Sequence, residues 1–477
     1  MTVKRIMTQS PGGEGIPFIP TVELWGMLTS LYKGGYSVNR LFDLIVIGAG
    51  PTGLMAAKVA GENGLRVALM EKKNDITDMR RACGEVINVN EYSWGDFINF
   101  NARDGLLNFP VNGISVRYRG PYRNIYGMHT YSPGGESIIM GDCREGRKAG
   151  DRARRGIAID KGELLRGLLE DVERHGVAVI TGSYIHEFEK KPETVVVGDG
   201  RNTYESTFVI AADGLNSKMA QRLGFNKERE FRGTLRCMFS YVTDAEPPVP
   251  DALLHIMGGK EGPALLGMCC THREGEYWIA VDDFSYKVDL KAGFERIMQR
   301  PAFAPWFGKM KTIKMAACVG NLYSPIAEPF KDNVLLAGDA AFSPQISING
   351  GIICGWKAAN AVVLALLEGR RNREGVSNYL NWWKQEIIDR HSLAGGNFMD
   401  SLDDNEADYL FSLFKRKLPA TLDPFTAGRY IQEEMAAIMP VLKAERPAIL
   451  QMLQAFRAQT ADELCAQRRK FGFANRE

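Results

Sequence analysis

No charge of one sign dominates this chain of 477 residues: 59 Lys and Arg stand against 57 Asp and Glu, a formal net charge of +2 with histidine neutral. Without a basic excess there is little to hold a phosphate backbone, so nucleic acid is not an expected partner. Cysteine is sparse. Its eight positions (83, 143, 237, 269, 270, 318, 354 and 465) include no C-x-x-C pair, which argues against a zinc ribbon, an iron–sulfur run or a dithiol redox centre. Their irregular spacing suits free thiols in a reducing compartment better than a disulfide framework. Six histidines (129, 175, 186, 255, 272 and 391) show no metal-ligand spacing, and no metal is expected. Long hydrophobic runs are missing too: no stretch reaches 18 uncharged apolar residues, and no apolar segment follows Lys4-Arg5. A cytoplasmic protein is expected, with peripheral membrane contact left open. No internal repeat is visible, and the length suffices for two or three domains.

What is present begins at Asp43. An apolar run, Leu44 to Ile47, reads as a buried parallel strand, followed by Gly48, Gly50 and Gly53 in the spacing G-x-G-x-x-G and then an alanine-rich helix pattern. The first glycine permits the tight turn, the second lets the backbone approach a pyrophosphate, and the third lets helix and strand pack closely. Pro51 and Thr52 lie between them, where the helix N-terminus presents free N–H groups to the phosphates. A second strand, Arg66 to Met70, ends in Glu71, 21 residues after Gly50, where a carboxylate can hold a ribose hydroxyl pair; Lys72 follows it. This unit predicts dinucleotide binding.

Composition and periodicity divide the rest. Residues 1–41 form an N-terminal extension with enough apolar content for a short helix at 24–32. Residues 42–85, 155–225 and 321–374 read as one discontinuous α/β nucleotide-binding domain. Residues 86–154 and 226–320 read as a mostly antiparallel substrate domain with a helix near 289–300, and 375–477 as amphipathic helices. Asp160-Lys-Gly-Glu163 has the form of a capping box, ahead of Leu164, Leu165, Leu168 and Val172 at helical spacing. The basic run from Arg144 to Arg155 reads as a solvated loop.

Two further motifs follow the glycine loop in fixed order: Asp213-Gly214 after a strand, and Gly338-Asp339 before Pro344, Gly350, Gly351 and Ile352. With them, residues 42–370 resemble the para-hydroxybenzoate-hydroxylase-like flavoproteins. The resemblance implies an α/β fold: a glutathione-reductase-type FAD-binding Rossmann domain, an inserted antiparallel β-sheet substrate domain and a helical C-terminal region. It also implies FAD as cofactor, with Asp339 on the ribityl chain and the loop from Phe342 to Ile352 beside the isoalloxazine ring. Helix-start amides at Gly350-Gly351 would favour the anionic reduced flavin. The halogenase motif W-x-W-x-I-P and the cluster cysteines of electron-transfer-flavoprotein:quinone oxidoreductases have no counterpart. Cys83-Gly84-Glu85, Gly338-Asp-Ala-Ala341, Pro344 and Gly350-Gly351 look like the geranylgeranyl reductase-like branch. That branch's Y-x-W-x-F-P motif is degenerate in Glu276-Tyr-Trp-Ile-Ala280, and Ala-Val replaces Phe-Pro.

The branch implies an FAD-dependent oxidoreductase that reduces, or forms, a carbon–carbon double bond in an apolar, isoprenoid or lipid substrate. Cys83 is then the candidate catalytic acid, a role weighed against that of a small buried hydrophobe. Arg81 and Ala82 stand beside it near the flavin, and Arg80 and Arg81 are the cations next to the thiol. With no second G-x-G-x-x-G, electrons would come from NAD(P)H bound transiently or from a protein donor. The alternatives are a class A flavin monooxygenase acting on an aromatic or lipid, and a flavin electron carrier or assembly factor without turnover.

Overall fold

The computed structural model describes residues 41–79, 82–259, 263, 265–283, 289–342, 346–389 and 402–458. The first 40 residues, with the helix expected at 24–32, lie outside them, as do Arg80, Arg81 and Pro344.

Among the described residues the first sheet has eight strands. Leu41–Ile47 lies inside it, parallel to Val67–Met70 on one side and to Thr203–Ala211 on the other. Ala178–Ile180 extends the sheet beyond Val67–Met70, and Val334–Leu336 pairs with the C-terminal end of Thr203–Ala211. Leu44, Ile45 and Val46 are fully buried, as unbroken apolar strands in a parallel sheet must be. Register decides the rest. Ile47 pairs with Met70 and Ala211, and Ala211 pairs with Leu336. The loops beginning at Gly48, Glu71, Ala212 and Ala337 therefore leave the sheet along one edge, the carboxyl edge where open α/β sheets hold ligands.

Two helices lock that edge. Pro51–Glu62 follows the glycine loop, and the 21-residue Ser347–Leu367 packs across it. Thr52 is the contact. A Cβ added at Gly338 or Gly351 would stand 2.5 or 2.9 Å from Thr52 Oγ1, and one at Gly355 would overlap the Thr52 carbonyl. Glycine at these positions lets two backbones approach more closely than any side chain permits. Ser347–Leu367 is long and apolar enough to cross a membrane, but most of it is buried in this core, as befits a core helix.

The second sheet has seven strands, in the order Ser137–Met140, Gly127–Tyr131, Ala252–Met257, Leu265–Cys270, Glu276–Asp283, Phe231–Thr243, Lys311–Tyr323. All its pairs are antiparallel except Gly127–Tyr131 with Ala252–Met257. The helix expected near 289–300 spans Leu290–Gln299, with the Asp289 carboxylate accepting from the Ala292 amide at 2.7 Å. Asp160 likewise caps Lys161–Arg174 through the Glu163 amide at 3.2 Å. C-terminal helices Asp404–Ser412 and Pro424–Glu445 contribute Phe411 and Leu442 to the core under the second sheet.

The basic run is exposed at most of its charged residues, as expected, but it is not a loop throughout. Cys143–Ala149 is a helix capped by Asp142. Arg154 is buried, stacked 5.3 Å from the Phe100 ring centroid and donating to the Phe100 carbonyl. Its guanidinium found aromatic surface and acceptors contributed by distant strands, which charge patterning alone does not reveal.

The helix contact at Thr52 predicts opposite responses at two helical glycines. Gly355→Val forces the helices apart and should lower unfolding stability in urea by about 3 kcal/mol. Gly428→Ala, in Pro424–Glu445 with nothing within 4 Å of an added Cβ, should raise it by about 0.5–1 kcal/mol. Equal effects at both positions would contradict the packing argument.

Candidate functional site

The three glycines of the first loop do different work. Gly48 has φ +97°, and a Cβ there would overlap the Ala212 carbonyl; one at Gly53 would overlap the carbonyl of Gly48. Both hold the turn against the sheet. At Gly50 an added Cβ meets nothing within 4 Å, so the turn opens onto free space at its middle glycine. Gly50 is the N-cap and supplies no side chain to the first-turn amides, with Pro51 just inside the helix. Unclaimed amides at a helix N-terminus, facing a space that a Cβ would fill, fit a pyrophosphate. Glu71 is buried, its Oε2 accepting from the Ala49 amide at 2.8 Å and its Oε1 from Lys73 at 2.9 Å. Each oxygen keeps a second lone pair for a ribose hydroxyl. Lys72 is exposed beside it.

At the second half of the site, Gly338 adopts φ +66° and its amide donates to Cys354 Sγ at 3.1 Å. Tyr379 Oη donates to the Leu336 carbonyl at 2.6 Å and lies 3.4 Å from the same sulfur. Burial pushes the Cys354 thiol up to about 11, so it serves here as a neutral hydrogen-bonding wedge. Sequence reasoning passed over Cys354 and Tyr379; the one available signal was a cysteine one turn after the paired glycines. Asp339 Oδ1 accepts from the Ile346 amide at 2.8 Å, tying the Gly-Asp turn to the next helix.

One expectation changes here. The helix begins at Ser347, not at Gly350-Gly351, and both glycines are buried. Gly350 lies under the Trp94 indole and Gly351 against Thr52, so these residues serve close packing. The exposed residue at the helix start is Ser347, strained at φ +67°, whose Oγ accepts from Trp94 Nε1 at 3.2 Å. Ile352 is fully buried in the core. Asp213 Oδ2 accepts from the amides of Lys218 and Met219 at 2.8 and 3.3 Å and so holds the start of a short helix, next to Gly214 at φ +86°. Burial pushes its carboxyl up.

Between the two sheets runs Ala82-Cys83-Gly84-Glu85. Cys83 packs on the core of the first sheet and Ala82 on that of the second. Lys161 Nζ donates to Cys83 Sγ at 3.4 Å, and the Lys161 amide donates to Glu85 Oε2 at 3.3 Å. Tyr241 Oη lies 3.3 Å from both the Cys83 carbonyl and Glu85 Oε1. Burial pushes the Glu85 carboxyl up, the Lys161 amide and ammonium opposing, and it raises the Tyr241 phenol. Trp278, from the degenerate aromatic motif, lies over Gly84, where an added Cβ would be 3.2 Å from the ring, and stacks on Phe239 at 5.3 Å. Its buried Nε1 has no hydrogen-bond partner among the described residues. Lys161, Tyr241 and Trp278 were not in the sequence-derived site. They reach Cys83 from elements about 80, 160 and 190 residues away, beyond any local motif.

A mixed sheet whose parallel strands gather a G-x-G-x-x-G turn, a strand-end glutamate and a Gly-Asp turn along their carboxyl edge defines an FAD-binding protein of the glutathione-reductase type. Residues 42–88 and 131–345 match the FAD binding domain family. A digeranylgeranylglycerophospholipid reductase of Methanosarcina acetivorans is 30% identical over 408 residues, covering 79% of this chain and 89% of the relative. Another, from Methanothrix thermoacetophila, is 24% identical over 73% of this chain and 85% of its own. A solved geranylgeranyl bacteriochlorophyll reductase-like structure from Thermoplasma acidophilum superposes with a TM-score of 0.64 at 18% identity, covering 85% and 99% of the two chains. The chain belongs to the FAD binding domain family and, within it, to the geranylgeranyl reductase-like flavoproteins; it is an FAD-dependent oxidoreductase.

Gly50→Leu should fold with an unchanged apoprotein unfolding midpoint yet bind FAD at least about tenfold more weakly, a loss of about 1.4 kcal/mol, by fluorescence titration. Asp339→Ala should purify without the yellow flavin absorbance. A fully yellow Asp339→Ala protein would show that the Gly-Asp turn does not hold the cofactor.

Proposed function

We propose that the enzyme reduces carbon–carbon double bonds in an isoprenoid chain carried by a lipid, with Cys83 as the proton donor. The observation that carries this reading is the position of Cys83, at the seam between the nucleotide-binding core and an apolar sheet. Trp278 and Phe239 form an apolar wall beside it. A bound FAD would supply hydride in its reduced form and, once oxidised, would take electrons from NAD(P)H or a protein donor. The chain's own part is to bind and orient. Gly50, the first-turn amides and Glu71 hold the adenine-nucleotide half, while Asp339 and the helix start at Ser347 hold the flavin half. Trp278 and Phe239 exclude water from an alkene that has no polar handle. The Cys83 thiol releases one proton to carbon. The names of the archaeal relatives support a digeranylgeranyl lipid as the substrate class.

The test is anaerobic. Reduced holoenzyme mixed with a geranylgeranylated glycerophospholipid should return to oxidised flavin and yield lipid with two hydrogens added per double bond, read by mass spectrometry. Cys83→Ser should slow that step by about a hundredfold or more. If the lipid leaves the reduced flavin unchanged, and oxygen alone reoxidises it with an oxygen atom entering the product, the enzyme is a monooxygenase and the reading fails.

A further inference from the structure

We infer that Lys161 is a positioning residue for proton transfer: its ammonium orients the Cys83 sulfur and faces the negative charge left there when the proton moves to substrate carbon. This rests on the reading of Cys83 as the acid. In that step the S–H bond breaks and a C–H bond forms, the S–H electron pair stays on sulfur, and a proton from water later restores the thiol. The hydride comes from the reduced cofactor.

Arg80 and Arg81, the cations adjacent in sequence, lie outside the described residues. Among the described residues, a cation reaches the sulfur from the first residue of Lys161–Arg174, a helix held in place by its Asp160 cap. Lys161 is pinned at both ends by the same short segment, its amide on the Glu85 carboxylate and its Nζ on Cys83 Sγ. Glu85 is held at φ +50°, a conformation that costs a non-glycine residue and needs the surroundings to enforce it. Tyr241 supplies part of that enforcement from the second sheet, bridging the Cys83 carbonyl and the Glu85 carboxyl. Among the described residues, the charged and titratable groups around this pair include Glu85, Tyr241, Lys73, Asp160, Glu276 and His272, whose Nε2 lies 3.6 Å from Asp160 Oδ2. An ammonium in hydrogen-bond reach of the sulfur faces the charge that develops there as the proton leaves and fixes the direction from which the sulfur is approached.

The experiment measures iodoacetamide alkylation of Cys83 from pH 6 to 9 by peptide mass spectrometry, in flavin-free and flavin-loaded protein. Half-buried Cys318 is the internal reference. In Lys161→Met protein, Cys83 should alkylate about tenfold more slowly than in wild type, while the Cys318 rate is unchanged. Lys161→Arg should stay within about twofold of wild type. A wild-type Cys83 profile in Lys161→Met overturns the inference, as does an equal change at Cys83 and Cys318, which would report loosened structure. Full turnover by Cys83→Ser would instead defeat the acid assignment, and the alkylation profile would still decide whether Lys161 governs the sulfur.

Discussion

Everything at the cofactor edge depends on the approach of glycine backbone to Thr52. Three glycines from positions 338, 351 and 355 crowd around this one residue of the first helix, and none leaves room for a methyl group. The G-x-G-x-x-G turn and the Gly-Asp turn lie nearly 300 residues apart in the chain, yet their separation in space is set by one van der Waals contact. Close-packed interiors transmit such constraints without slack. A displacement of the long helix would carry Asp339 and Ser347 away from the glycine loop.

The seam between the two sheets is the second organising feature, and it is where cofactor chemistry meets substrate recognition. Parallel strands buried on both faces leave only their carboxyl ends for ligands. The substrate side must therefore come from another layer, and the seven-stranded sheet supplies Trp278, Phe239 and Tyr241. The Cys83 segment bridges the layers with its small residues. Gly84 gives the Trp278 ring a seat, and Glu85 takes a strained backbone angle under two tethers. On the proposed reading, an apolar wall beside the Cys83 thiol suits an alkene, which can be gripped by dispersion and desolvation but offers no hydrogen bond.

Much of the first sheet was legible because strand, turn, helix and strand follow one another locally, each with its own signature. The run from Asp43 to Glu71 contains every residue of that unit, and so do Asp160 and the leucines after it. Legibility failed where a residue's role depends on a partner far along the chain. Gly350 and Gly351 looked like a helix start because glycines commonly mark one; their burial under Trp94 and Thr52 decided otherwise. Arg154 looked solvated in a basic run until Phe100 and Tyr122 closed around it.

The sequence by itself determined the cofactor class, the order of the halves that hold it and the alternation of sheet and helix. Those properties reside in backbone requirements of consecutive residues: φ above zero at Gly48, free amides after Gly50, a carboxylate one strand later. It also singled out Cys83 as a candidate. Tertiary structure alone decided what surrounds that sulfur, seating Lys161, Tyr241 and Trp278 beside a segment they never approach in sequence. The reason is physical: a proton donor's environment is set by charges and apolar surfaces within a few ångströms, and folding, not chain order, chooses which residues those are.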